Sequence, residues 1–151
     1  MIYLPDINVW IALAVAEHVH YEPAAEWLRE PLDSSSKDEI AFCRVTQMGF
    51  LRLLTSPKAM GKDALTPGQA WDFLDGLRNQ QKIIFADEPS NLELEWRSLT
   101  HGRHSIATGS WTDAYLAAFA ATAGYTLVTF DRGLARRVGV QVRCLTSLRT
   151  T

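Results

Sequence analysis

Met1-Ile2-Tyr3-Leu4-Pro5-Asp6-Ile7-Asn8 decides how the rest of the sequence reads. A short apolar run ends at Asp6, and Val9 to Ala16 continues in a helical pattern. Ile2 to Leu4 is too uniformly apolar to alternate, which predicts a strand buried on both faces, as in a parallel sheet. Asp6 then stands where that strand hands over to a helix. In open α/β sheets, ligands gather beyond the carboxyl ends of the strands, so a carboxylate there is placed to hold a metal. Taken alone, Asp6 reads more simply as a helix N-cap. The two readings separate only if other carboxylates arrive at the same end of the sheet.

Further along, strand and helix signals alternate. Glu22 to Leu32 reads as a helix closed by Pro31, and Ile40-Ala41-Phe42-Cys43 as a second strand. Val45 to Leu54 is a helix stopped by Ser56-Pro57, with apolar residues on more than one stripe, which predicts burial against the core and a subunit contact together. Lys58 to Lys62 reads as a loop. Thr66-Pro67-Gly68-Gln69 opens another helix, with Thr66 as cap, Pro67 first and Gln69 closing a capping box. Ile83-Ile84-Phe85 is a third strand, and a helix follows through Leu92, Trp96 and Leu99. His101 to Ser105 is a loop rich in glycine and cations. Ser110 to Ala123 is the clearest helix, ended by Gly124. Thr126 to Phe130 and Val140 to Leu145 complete the strands. The alternation predicts a mostly parallel sheet of four to five strands, covered on both faces by helices.

Composition narrows the class. The 151 residues, 47% hydrophobic and 21% charged, suit one globular domain over residues 1–151, with a sizeable core. No apolar run reaches the length of a membrane span, and no basic stretch precedes the first apolar run, so neither a membrane protein nor a signal peptide is expected. Cys43 and Cys144 both fall in predicted strands, and two buried thiols suit a reducing cytoplasm better than a disulfide framework. The net charge of −2 is not that of a typical nucleic-acid binder. It is compatible with an acidic metal site that has a local basic rim.

Two more carboxylates occupy the position type of Asp6. Asp131 directly follows the strand ending in Thr129-Phe130 and is also a fair N-cap. Asp113 lies three residues after Ser110, so Ser110-Trp111-Thr112-Asp113 reads as a capping box. The helix behind it, Ala114 to Ala121, is apolar all round and therefore buried. Each Asp has a structural explanation of its own. Jointly, three carboxylates at one sheet end repel one another unless a cation sits between them. Oxygen-only ligation favours Mg²⁺ or Mn²⁺.

Four segments in this order carry a resemblance: Leu4 to Trp10, Val45 to Thr55, Thr112 to Ala118 and Leu127 to Arg132. Together they resemble the PIN-domain ribonucleases, and more narrowly the VapC toxins of bacterial toxin–antitoxin modules. The resemblance implies a three-layer α/β/α sandwich. It implies an endoribonuclease dependent on Mg²⁺ or Mn²⁺, usually a homodimer, inhibited by a VapB antitoxin. Asp6, Asp113 and Asp131 match the family's acidic positions, and Asn8 and Thr129 its polar supporting positions. Gln47 stands where the family usually has a Glu, and Gly133 where a further Asp often sits. Three firm anions favour one tightly held metal, with a second bridged by the RNA phosphate.

Arg44, Arg52, Arg103, His104 and Arg132 are the candidates for gripping the RNA backbone, with Arg136 and Arg137 nearby. No cysteine or third histidine is spaced with His101 and His104, so a zinc site there is not expected. A haloacid-dehalogenase-type hydrolase wants Asp-x-Asp after the first strand, where this chain has Asn8. A response-regulator receiver wants an adjacent acidic pair near the start. A protein that binds RNA or a partner without cutting is the remaining alternative, because Gln47 removes one anion.

Overall fold

The computed structural model describes residues 1–33, 35–105, 107–136 and 139–146. Among these, five short strands alternate with helices. The strands are β1 (Ile2–Pro5), β2 (Glu39–Phe42), β3 (Ile83–Phe85), β4 (Thr126–Thr129) and β5 (Gln141–Cys144). The helices are α1 (Ile7–Ala14), α2 (Tyr21–Leu32), α3 (Arg44–Leu54), α4 (Pro57–Met60), α5 (Pro67–Arg78), α6 (Leu92–Thr100), α7 (Thr108–Ala123) and α8 (Arg132–Ala135). Every strand pairing is parallel, and the order is β3-β2-β1-β4-β5. The chain builds outward from β1 through β2 to β3, then returns to the other side of β1 with β4 and β5. That reversal puts a switch point between the carboxyl ends of β1 and β4, where such folds bind ligands.

The alternation of side chains across the pleat divides the interior in two. Tyr3, Ile40, Phe42 and Val128 face one layer, formed with Val9, Trp10, Trp27, Phe50 and Leu74 of α1, α2, α3 and α5. Leu4, Ala41 and Leu127 face the other, formed with Leu92 of α6, Leu116 and Phe119 of α7, and Leu134 of α8. This is the expected three-layer sandwich. The first layer is aromatic: Trp10 stacks on Phe42 with centroids 3.7 Å apart and planes 13° from parallel. The second rests on alanines. Residues 114–120 are all buried, and Ala114, Ala117, Ala118 and Ala120 let α7 lie close to the sheet.

Four local expectations are corrected. The loop expected over Lys58 to Lys62 is α4 followed by a 3₁₀ turn at Gly61–Asp63, because Ser56 caps Ala59 and Pro57 takes the first helical position. Pro31 does not close α2. The helix runs to Leu32, and the Asp33 N–H returns to the Arg29 and Glu30 carbonyls. The capping box expected at Ser110-Asp113 does not form: α7 starts at Thr108 after Ala107, which offers no side-chain cap, so Asp113 lies one turn inside the helix. Cys43 is buried and directly precedes α3, but Cys144 is only half-buried. Both are free thiols. Among the described residues, no helix is long and apolar enough to cross a membrane.

Candidate active site

Asp6 ends β1 and starts α1, and the sequence around it dictates its contacts. Its backbone N–H donates to the Val128 carbonyl at 2.9 Å, which ties the end of β1 to β4. Its Oδ1 accepts the Val9 N–H at 3.0 Å, the ordinary cap bond. Its Oδ2 accepts the Thr129 hydroxyl. Thr129, fully buried at the end of β4, in turn accepts the Asp131 N–H at 2.9 Å. Asp131 caps α8 through Oδ1, which takes the N–H groups of Gly133 at 2.6 Å and Leu134 at 3.3 Å. One threonine hydroxyl thus joins the two strand-to-helix junctions.

Asp113 arrives from α7. It and Asp131 line one open cavity of about 530 Å³, together with Arg103, Ser110 and Arg136. Burial holds the Asp6 carboxyl above its ordinary range. The hydrogen bonds from Thr129 and the backbone oppose that rise, and the negative charge of Asp113 adds to it. The three expected carboxylates are therefore neighbours: Asp6 and Asp131 through Thr129, Asp113 and Asp131 across the cavity, Asp6 and Asp113 by their charges. Among the described residues, no group of three His, Cys, Asp or Glu is arranged to hold a metal ion as it stands. Asp6 spends both oxygens, and Asp131 one, on bonds within the chain. The donor chemistry nevertheless fits a hard divalent cation, being all carboxylate oxygen, with one carboxyl raised in pKa by burial and, to a smaller degree, by a second carboxylate.

The supporting residues divide. Thr129 sits at the centre of the network. Asn8 is exposed and shares a second cavity, of about 360 Å³, with His18, His20, Phe130 and Asp131. Gln47 is buried on α3, and its side-chain oxygen accepts a hydrogen bond from Arg44. The Arg44 guanidinium also lies 4.6 Å over the Phe85 ring.

Of the cations expected to grip RNA, Arg103 lines the cavity of Asp113 and Asp131, as does Arg136. Arg132 is exposed directly after Asp131. His104 lines a neighbouring groove that also includes Arg103. Arg44 and Arg52 are exposed on α3 and line neither acidic cavity. Arg137 lies outside the described residues. His18 and His20 also line the cavity with Asn8 and Asp131, and no sequence motif marks them. In the sequence they form a polar connection after α1, and only the fold brings them beside Asp131, with His20 stacked on Phe130 at 4.3 Å.

Comparison with known proteins gives the family. The PIN domain matches residues 3–140. Ribonuclease VapC41 of Mycobacterium tuberculosis is 40% identical over 146 residues, covering 94% of this chain and 97% of that protein. Ribonuclease VapC29 of the same organism is 33% identical over 140 residues, covering 92% of each. In three dimensions the chain is similar to VapC20 of Mycobacterium tuberculosis, with a TM-score of 0.66 at 18% identity, covering 95% of this chain and 99% of that one. It is also similar to a chain of VapBC2 from Rickettsia felis, with a TM-score of 0.65 at 16% identity, covering 97% and 100%. Those two likenesses bear on the fold alone. With the domain matched over nearly its whole length and relatives of this identity aligned end to end, the chain belongs to the PIN-domain family and, within it, to the VapC ribonuclease toxins.

Proposed function

We propose that this protein is an endoribonuclease dependent on Mg²⁺ or Mn²⁺, the toxin of a type II toxin–antitoxin pair that acts in the cytoplasm and is inhibited by a VapB-type antitoxin. The observation that carries the reading is the gathering of Asp6, Asp113 and Asp131 at the β1–β4 switch point. Those three carboxylates would hold the ion. When bound, it lowers the pKa of a water and neutralises charge on the scissile phosphate.

The chain's own part is positioning. Thr129 fixes Asp6 and the Asp131 backbone relative to one another, as hydrogen-bonded supports of metal ligands do. Asn8 and Gln47 are proposed as further supports, the first lining a cavity with Asp131. Arg103 and Arg136 stand beside the acidic cavity, where a phosphate would meet them, with Arg132 and His104 close by. Arg44 and Arg52 remain candidates for more distant backbone contacts.

Partner surfaces support the toxin reading. An apolar groove of about 440 Å³ runs between α1, α2 and α5, lined by Leu13, Tyr21, Leu28, Phe73 and Leu77. It suits an amphipathic segment of an antitoxin. Solved complexes of similar fold are VapBC assemblies from Rickettsia felis and Haemophilus influenzae. Trp27 is buried, and Trp10, also buried, contributes only to the groove's lining. Met48 and Trp71 are exposed at 60% and 48% and support a homodimer contact on this side.

The test is direct. Purified protein is incubated with structured and single-stranded RNAs, with Mg²⁺, Mn²⁺ or EDTA, beside an Asp6→Ala control. Cleavage that needs the metal and Asp6 supports the reading. RNA binding without cleavage under any metal would leave the non-cutting alternative.

A further inference from the structure

We propose that the groove between α6 and α7 is a base-binding subsite, which receives an unstacked base of the RNA beside the scissile phosphate. The proposal rests on the ribonuclease reading above. The groove has a volume of about 620 Å³, larger than the acidic cavity, and three aromatic rings form it: Trp96, Trp111 and Tyr115. Trp111 is the unusual member. It stands 49% exposed on a helix whose next turns are wholly buried. With the Trp96 ring beside it, Trp111 forms part of a contiguous apolar surface, the kind that marks an interaction site where a lone exposed side chain does not.

The rings are already set. Trp96 meets Trp111 edge to face at 6.0 Å and 88°, and Tyr115 at 5.4 Å and 85°. The Trp96 indole N–H donates to the Trp111 carbonyl at 3.2 Å. The Tyr115 hydroxyl donates to Glu88 at 2.7 Å. A base entering the groove therefore orders little that is not already ordered, which lowers the cost of binding. Flat aromatic surfaces accept any base by stacking, provided it is not already stacked in a duplex.

Two observations favour RNA over another protein. Arg103 stands on the rim beside His101 and His104, where a phosphate backbone finds a cation and hydrogen-bonding side chains, while the carboxylates of the lining are engaged, Glu93 with Arg97 and Glu88 with Tyr115. Arg103 also lines the cavity of Asp113 and Asp131, so the aromatic groove and the acidic centre are continuous through one guanidinium. A phosphate held there has the acidic centre on one side and the rings on the other.

The experiment measures binding, so that it stands apart from cleavage. A short fluorescein-labelled single-stranded RNA of mixed sequence is titrated with the full chain in EDTA and followed by anisotropy. Trp111→Ala should weaken binding about tenfold, within the range for loss of one base–aromatic stack. Trp111→Phe should stay near wild type. With the same oligonucleotide made fully abasic, wild type and Trp111→Ala should bind alike. Equal affinity of Trp111→Ala and wild type for the intact RNA overturns the subsite. So does a Trp111→Ala protein that binds RNA normally but sediments as a smaller species than wild type, because the groove is then an interface between copies. Failure of the ribonuclease reading shows separately, as RNA left uncut by wild type with Mg²⁺ or Mn²⁺.

Discussion

The junctions after β1 and β4 are built on the same plan, and they differ in one respect. Each places an Asp at the end of a buried strand and uses Oδ1 to cap the next helix. Asp6 is 5% exposed and its second oxygen is also taken, by Thr129. Asp131 is exposed and faces two cavities. The buried junction is the rigid one, which sets the frame of the site. The open junction is the one a substrate meets. Capping and metal binding are therefore not competing explanations of these carboxylates. The cap bond aims the side chain, and the aimed side chain is what a cation could use.

The largest expected effect breaks both junctions alike in activity and differently in stability. Asp6→Asn and Asp131→Asn should each lower metal-dependent cleavage by about a thousandfold, the equivalent of several kcal/mol of charge stabilisation at about 1.4 kcal/mol per tenfold. Without metal, Asp6→Asn should melt at or above the wild-type temperature, because it removes an anion that burial and, to a smaller degree, Asp113 disfavour. Asp131→Asn lies in the open and should shift melting less. Wild-type cleavage rates for both variants would end the metal-site reading.

The link between the junctions comes next. Thr129→Val removes the hydroxyl that serves Asp6 and the Asp131 N–H at once. Leaving buried polar groups unpaired costs roughly 1–3 kcal/mol, read as a lower denaturation midpoint. Thr129→Ser keeps the hydroxyl and should recover most of that loss. If valine is as stable as threonine, the bridge contributes nothing and the junctions are independent.

A smaller effect separates the junctions by pH. Burial raises the folded-state pKa of Asp6 above its ordinary 3.8. A raised folded pKa means that the group's contribution is complete below the unfolded value and is lost as pH rises through the folded value. Metal-free wild type should therefore lose stability over that window relative to Asp6→Asn, and the gap should stay open at neutral pH. Mn²⁺ should close it. A gap that does not change with pH would mean that Asp6 titrates normally.

Most of this frame was legible in the sequence because it is local. The apolar run before Asp6, the strand before Asp131 and the Thr66-Pro67-Gln69 capping box each declare themselves within a few residues. The helix start at Thr108 did not, since Ala107 caps without a side chain and Ser110 mimics a cap two residues later. The Thr129 bridge spans 123 positions in the chain, and no local pattern announces it. The α6–α7 aromatic groove is hidden for the same reason: in the sequence Trp96 belongs to one helix and Trp111 to the expected capping box of another, and only the crossing of two helices makes them one surface. The family position of Gln47 carries no information about where its side chain turns, and here Arg44 holds its oxygen.

Gln47 gives the smallest expected effect and the finest test of how far the site extends. Gln47→Glu places a carboxylate on a buried position of α3. Two partners compete for it. If it stays on Arg44, the present hydrogen bond becomes charge-assisted, a gain that opposes the cost of burying the charge. Metal-free stability should then change by no more than about 1 kcal/mol, the difference between a neutral and a charge-assisted hydrogen bond. Mn²⁺ affinity should match wild type, because the new charge is spent on the guanidinium. If instead the side chain turns to Asp6, Asp113 and Asp131, the metal-free protein loses stability through like-charge repulsion, and Mn²⁺ binds more tightly. Melting measured with and without Mn²⁺ separates the two, since tighter binding to the folded state widens the metal-induced shift. Since Arg44 holds the Gln47 oxygen, the expected result is equal metal-induced shifts in the two proteins. A wider shift in Gln47→Glu would extend the metal site onto α3 and make Arg44 its gate rather than its neighbour.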